Sequence, residues 1–198
     1  MSNDVIVGED GMTRCGWAGP AGPLARYHDE VWGTPTLDER ALFEALTLGV
    51  FQAGLSWRVV FGKRDGFREA FYDFDVAKVA AMGDGDVARL IRDASIVRNR
   101  AKIQATLANA RVVNAAEPSL AALVGSCERA DSAAPRSLAE IPASTPQAES
   151  LAKQMKIQGY RFVGPTSVYA FMQNVGVVND HVRGCFRASA RSSRTDVR

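Results

Sequence analysis

The chain has 198 residues, 46% of them hydrophobic and 23% charged, with a formal net charge of +2. That length supports one well-buried core and is short for two. The small charge excludes recognition of a nucleic acid by bulk charge alone, so any such contact must rest on where the basic residues sit. No apolar run approaches the roughly 20 residues that span a bilayer. "MSNDVIVGED" also lacks a basic start followed by a long apolar stretch, so neither a membrane anchor nor a secretory signal is expected. The three cysteines then belong in the cytoplasm, as free thiols.

In chain order, residues 1–10 are expected to form a disordered tail. From Asp38, "DERALFEALTLGVFQAGL" carries an N-cap, acidic residues in its first turn, and apolar residues at Leu42, Leu46 and Val50 with Phe43 beside them, the pattern of a buried amphipathic helix. "RDGFREAFYDF" predicts a further short helix. "DVAKVAAM" and "DVARLIRDA" each begin with Asp, run at helical spacing, and are separated by Gly83 and Gly85. After the link "SIVRN", the Ala-rich "RAKIQATLANARVVNAA" is the clearest helix. Residues 114–150 show no sustained period and predict an irregular connection. Helical pattern returns at "AESLAKQMKIQ" and "SVYAFMQNVGVV", strand signal is confined to short pieces such as "YRFV", and residues 188–198 are expected to be a second disordered tail.

The histidines are the most informative residues. His181 and Cys185, in "NDHVRGC", stand at i and i+4, on one helical face or a tight turn, close enough to reach one ion. Cys15 precedes His28 with the spacing C-x12-H. If the chain ends meet, these four residues form a closed Cys2His2 set, of the kind that contributes to folding rather than to catalysis. The same spacings also fit small buried thiols and satisfied histidines. Cys127 stands apart and reads as structurally neutral.

Two other regions could carry chemistry. Arg92, Arg98, Arg100 and Lys102 gather at the junction of two predicted helices. A helix start offers unpaired backbone N–H groups, so this hairpin is either a phosphate seat or a solvated basic face. Trp17, Tyr27, Trp32, Phe51 and Trp57 cluster in the first third of the chain, as core or as a sandwich for a planar, cationic ligand.

The ordered run of "RCGW", "YHD", "WG.P", "LFEALTL", "FQAGLSW", "AF..FD...VA", "RN.AKI", "EIP.ST", "FVG.T..YAFMQ..G.VNDH" and the terminal Cys resembles DNA-3-methyladenine glycosylase I, from Met12 to about Phe186. The resemblance implies an all-α, helix-hairpin-helix DNA glycosylase fold in a single domain over residues 11–187. It also implies one structural zinc ion per chain, held by Cys15, His28, His181 and Cys185 and clamping the N- and C-terminal segments together. The implied activity is base-excision repair: hydrolysis of the N-glycosidic bond of 3-methyladenine in double-stranded alkylated DNA, by a monomer, with free 3-methyladenine as product or inhibitor. Such an enzyme extrudes the nucleotide and reads it in a pocket. Tyr27 and Trp57 match base-stacking positions, with Trp17 as their neighbour, while the hairpin around Ser95, with Arg98 and Lys102, would hold phosphate.

The chain departs from the family pattern at the base-recognising wall. Gly49 occupies the position of a glutamate that meets the polar edge of the base. Leu24 replaces a second pocket tyrosine, Val31 replaces an acidic residue before "WG" with Glu30 displaced by one, and the hairpin glycine is Ser95. A core aromatic of the variable stretch has no counterpart in "LAALVGSCE". Three readings follow for Gly49: a weakened glycosylase, one retuned to bulkier N3-alkylated purines, or a catalytically inactive protein that binds alkylated DNA. Glu44 or Glu30 could substitute for the missing carboxylate. Asp29 and Asp180, beside the two histidines, are read as hydrogen-bond partners of the ligands rather than as catalysts.

Overall fold

The computed structural model describes residues 4–128 and 133–188. It is mostly helical with a small two-stranded sheet, which corrects the all-α expectation. β1 (Val5–Val7) pairs antiparallel with β2 (Thr13–Cys15), so that Val5 lies opposite Cys15. The supposed tail over residues 1–10 is therefore structured where it is described. Three-residue strands are too short for their alternation to register in a sequence, and the Gly8–Met12 turn that joins them closes through Gly8 N–H donating to the Met12 carbonyl at 2.8 Å. Of the second tail, residues 189–198 lie outside the described residues.

The chain divides into two compact units. The first comprises the described parts of Met1–Pro35, Glu128–Pro142 and Gln173–Arg198. It holds the sheet, a 3-10 turn at Gly16–Ala18, and α1 (Pro23–Glu30). The sequence reading did not anticipate α1. It starts at a proline, which suits the first helical position, but after a Gly-Pro-rich run with no side-chain cap to announce it.

The second unit comprises Thr36–Cys127 and Ala143–Met172. Here the capping residues act as expected. Asp38 accepts from Ala41 N–H at 2.8 Å and opens α2 (Glu39–Gln52), and Ser56 opens the short α3 (Trp57–Phe61). α4 (Arg64–Ala70) ends in a left-handed turn, with φ of 52°, 51° and 57° at Tyr72, Asp73 and Phe74. α5 (Val76–Ala80) is capped by Asp75, α6 (Asp84–Leu90) follows, and Asn99 opens α7 (Arg100–Ala115). The core of this unit is aromatic. Phe43, Phe51, Phe67, Phe71 and Phe74 are all fully buried, with the Phe51 and Phe67 ring centroids 4.6 Å apart.

Residues 114–150 are less irregular than expected. α8 (Leu120–Gly125) is capped by Ser119, and α9 (Pro146–Ile157) begins at Thr145–Pro146. Six residues are too few to show a period. "YRFV" is not a strand. Asn109, 1% exposed, receives the Arg161 N–H at 2.7 Å and donates to the Arg161 carbonyl at 3.1 Å, occupying the groups that a ladder would use. α10 (Pro165–Asn174) completes the chain's helices among the described residues.

Candidate metal centre and base-recognition residues

The four predicted ligands meet inside the first unit. Cys15 ends β2, His28 lies in the last turn of α1, and His181 and Cys185 sit on a tight turn after α10, not on a helix. That turn is closed by Cys185 N–H donating to the Val182 carbonyl at 3.0 Å, with Gly184 at φ +93°. Phe186 N–H donates to the Thr13 carbonyl at 2.9 Å, which ties the C-terminal segment to β2. All four ligands are buried, and their donor atoms lie within 4.8 Å of one another. His181 Nδ1 is 3.1 Å from His28 Nε2, Cys185 Sγ is 3.4 Å from His28 Nε2, and each sulfur is 3.6 Å from His181 Nδ1. Such a group could hold a metal ion.

Each imidazole has an acceptor at its outward nitrogen and turns its inward one toward the other ligands, His28 Nε2 also lying 3.4 Å from the Cys15 backbone nitrogen. His28 Nδ1 lies 2.9 Å from Asp29 Oδ1, and His181 Nε2 lies 3.3 Å from the Trp32 carbonyl, so an N–H at each of these atoms has an acceptor. Gly33, at φ +73°, leaves room for that second ring: a Cβ there would sit 3.0 Å from His181 Nε2. Between the two thiols, the Cys15 hydrogen bond favours the Cys185 thiolate, helped by both imidazoles, while the same contact and burial push Cys15 up.

Arg14 supports this arrangement, although the sequence reading passed over it. Its guanidinium is nearly buried and engaged at every nitrogen: Nε and Nη2 donate to Asp29, and Nη1 and Nη2 to Asp10 at 2.8 and 2.6 Å. These bonds hold the Asp10 carboxyl well below its usual range; Asp29 is lowered too, with desolvation opposing Arg14 and His28. A Cβ on Gly8 would lie 2.8 Å from the Pro20 carbonyl oxygen and would displace Arg14 Nη1, so a glycine there lets the hairpin close over the guanidinium. The signal was available, since "RCGW" begins with Arg14, but no spacing rule ties Asp10 to it. Asp29 therefore orients His28, whereas Asp180 accepts from Gln173 at 2.7 Å. Asp29→Ala is expected to weaken metal binding about 10- to 100-fold, measured by competition with a chromogenic chelator; an unchanged affinity would refute the orienting role.

The base-recognition candidates are distributed over both units. In the first, Trp17 lies edge-on to His28 and Trp32, at centroid distances of 5.3 and 5.1 Å. Tyr27 is buried, and its hydroxyl donates to Asn174 at 3.4 Å, a partner the sequence reading did not single out. In the second, Trp57 is the half-buried first residue of α3, its ring 6.0 Å from Phe61. Gly49 lies within α2, and a Cβ built there meets nothing within 4 Å. Glu44 is no replacement carboxylate, because Arg64 and Arg68 hold it at 2.7 and 3.1 Å. Glu30 is exposed at the end of α1.

Between α6 and α7 the short link carries Ser95 and Arg98, while Lys102 lies in the first turn of α7. Ser95 and Arg98 are exposed, and the Ser95 hydroxyl donates to Asp93 at 2.6 Å. The backbone and Cβ of Ser95 press on Gly66, where an added Cβ would lie 2.6 Å from the Ser95 carbonyl and 2.7 Å from its Cβ. Gly66 thus lets both the backbone and the side chain of residue 95 pack against α4. Lys102 is not a surface cation: it is 7% exposed, and its ammonium donates to the carbonyls of Phe51 and Ala53. A sequence shows that a lysine opens a helix but not which way it faces.

Comparison with known proteins places this geometry. The chain is 44% identical over 179 residues to DNA-3-methyladenine glycosylase 1 of Escherichia coli (strain K12), covering 88% of this chain and 96% of that protein. A crystal structure of 3-methyladenine DNA glycosylase I superposes with a TM-score of 0.80 at 43% identity, covering 87% of this chain and 98% of that one. The Staphylococcus aureus enzyme, solved to explain its recognition of 3-methyladenine, also gives 0.80 at 30% identity, over 88% of this chain and 96% of that one. The fold is thus that of a 3-methyladenine DNA glycosylase. The methyladenine glycosylase family model matches residues 17–188, and the chain belongs to that family.

Proposed function

We propose that the protein is a base-excision repair hydrolase that releases 3-methyladenine from double-stranded alkylated DNA, as a monomer in the cytoplasm. The observation that carries this is the family match over residues 17–188, joined to a four-ligand centre at the positions that the spacing singled out. Residues 11–187 then act as one glycosylase domain, with the α6–α7 segment as its helix-hairpin-helix. In this reading Ser95 and Arg98 meet phosphate, and Trp17, Tyr27 and Trp57 are each base-stacking residues of the reaction.

Zinc is the ion that fits the donor set. Tetrahedral zinc with bonds of about 2.05 Å to nitrogen and 2.3 Å to sulfur has N–N edges of about 3.3 Å and N–S edges of about 3.5 Å. The distances of 3.1, 3.4 and 3.6 Å agree with that shape. Cys15, His28, His181 and Cys185 would fill its four positions, so the ion would supply folding stability and join the two ends of the chain. No reaction step is assigned to it.

The chemistry asks little of the protein. Methylation at N3 makes the adenine cationic and a good leaving group. Ring faces attract such a cation, and they stabilise it most when the base is flat between them and water is excluded. The chain's own task is to extrude the nucleotide, stack its base, and hold the DNA while the bond breaks.

Gly49 favours a second reading in which the pocket admits bulkier N3-alkylated purines, because the space beside its Cα is open. An inactive alkylated-DNA-binding protein is the remaining alternative. Single-turnover release of 3-methyladenine from methylated duplex DNA tests the proposal. The natural protein is expected to release the base and to be inhibited by free 3-methyladenine. Damage-dependent binding without release would replace the enzyme with the binder.

A further inference from the structure

Lys102 carries a charge that no carboxylate neutralises among the described residues, in a place where burial pushes its pKa down. The last carbonyls of any α-helix lack intrahelical donors. At the end of α2 a glycine stands at the usual place, one residue past the C-cap, but Ala53, at φ −50° and ψ 116°, turns the chain so that with Gly54 at φ +77° the Leu55 N–H donates to Gln52 O at 2.7 Å and not to a carbonyl further back in the helix. Instead the Lys102 ammonium donates to Phe51 O at 2.9 Å and to Ala53 O at 2.5 Å. A cation also suits the negative end of the helix dipole. Lys102 is itself held in the first turn of α7. Its N–H donates to the cap Asn99 at 3.1 Å, and its carbonyl receives the Thr106 hydroxyl at 3.0 Å.

What the ammonium holds is otherwise loosely tied. Ala53, Gly54, Leu55 and Ser56 are all exposed, and Leu55 N–H donating to Gln52 O at 2.7 Å is the backbone bond that closes the turn. The corner leads directly into Trp57. We infer that Lys102 is a positioning residue, one that locks the end of α2 and thereby fixes the 53–57 corner presenting Trp57 to the base. A contact with DNA phosphate would require the ammonium to leave both carbonyls. The inference rests on the base-stacking role proposed for Trp57, and it assigns Lys102 to base capture rather than to DNA backbone binding.

Three measurements on the full chain test it, comparing the natural protein with Lys102→Met. Hydrogen exchange should accelerate at the amides of Leu55 to Trp57 in the variant while the protection of α4 and α5 stays as it was. Duplex binding should keep its salt dependence, whereas Arg98→Ala should reduce the salt slope by about 1. Single-turnover release of 3-methyladenine at saturating enzyme should fall about tenfold to 150-fold, the loss associated with hydrogen bonds to a charged group. A reduced salt slope in Lys102→Met, or corner amides that exchange as in the natural protein, would overturn the inference. If the natural protein releases no base, the glycosylase reading fails, and the exchange and salt measurements still decide the role of Lys102.

Lysine acylation supplies a test that needs no variant. In the natural protein Lys102 should resist a limiting acylating reagent with and without DNA, while the exposed Lys153 and Lys156 react. Acylation of Lys102 in the free protein, with protection by DNA, would return it to the phosphate surface.

Discussion

Gly49→Glu should raise the single-turnover rate of 3-methyladenine release by about tenfold to 150-fold over the natural protein, the range of 1.5–3 kcal/mol for a hydrogen bond to a charged group. The helix favours the change, since a glycine inside α2 costs up to about 1 kcal/mol relative to a strong helix former. Space favours it as well, with nothing within 4 Å of the added Cβ. Against it stands the desolvation of a carboxylate at a buried position, which a cationic base in the pocket offsets and an empty pocket does not. Gly49→Glu should therefore accelerate excision while leaving thermal stability little changed. Bulkier N3-alkyl adducts give the opposite sign: a filled pocket should slow their release, and the natural protein should tolerate them. Equal rates on 3-methyladenine would mean that the labile bond needs no carboxylate here. Silence from both proteins would favour the binding reading.

How far this could be read from the chain depends on the range of the interaction involved. Asp38, Asp75 and Asn99 act within three residues, and they cap α2, α5 and α7 where the sequence places helix starts. Cys15 with His28, and His181 with Cys185, were legible because each pair is close in sequence and both types are rare. Their convergence was a long-range event that spacing could only suggest. β1 escaped because three residues carry no measurable period, while α3 and α8, as short as the α5 that was read, went unread although Ser56 and Ser119 cap them. Lys102 was misread for a different reason. Its neighbours Arg98 and Arg100 are exposed, and the carbonyls that turn it inward lie about fifty residues earlier, at Phe51 and Ala53. The Asp10–Arg14–Asp29 chain likewise joins the hairpin to a ligand-bearing helix through side chains alone.

Removing the proposed zinc from the Cys15, His28, His181 and Cys185 group should produce the largest loss of order, concentrated in the first unit. The three segments of that unit are far apart in sequence, and the ligands come from β2, α1 and the turn after α10, so the ion would join the N- and C-terminal segments at a centre that hydrogen bonds such as Phe186 N–H to the Thr13 carbonyl only border. Cys15, Val182 and Cys185 form a small buried cluster, with Trp17 and Ile141 packed against it, and this is a modest core for chain ends. Folding free energy that arrives as metal binding is lost with the metal. Cys185→Ala, which also leaves Cys15 and two buried imidazoles without an ion to hold them, should cost several kcal/mol. At about 2–4 °C per kcal/mol for a chain of this size, that is a fall in Tm of about 10 °C or more. A strong chelator should reproduce it in the natural protein, together with loss of the near-ultraviolet dichroism of Trp17 and Trp32. Cys127→Ala is the matched control: Cys127 is half-buried and its thiol donates to the Leu123 carbonyl at 3.4 Å, so its removal should move Tm by a few degrees at most. Equal shifts for the two cysteine variants, with no response to chelator, would rule out a metal-built clamp and leave the four residues as ordinary packing.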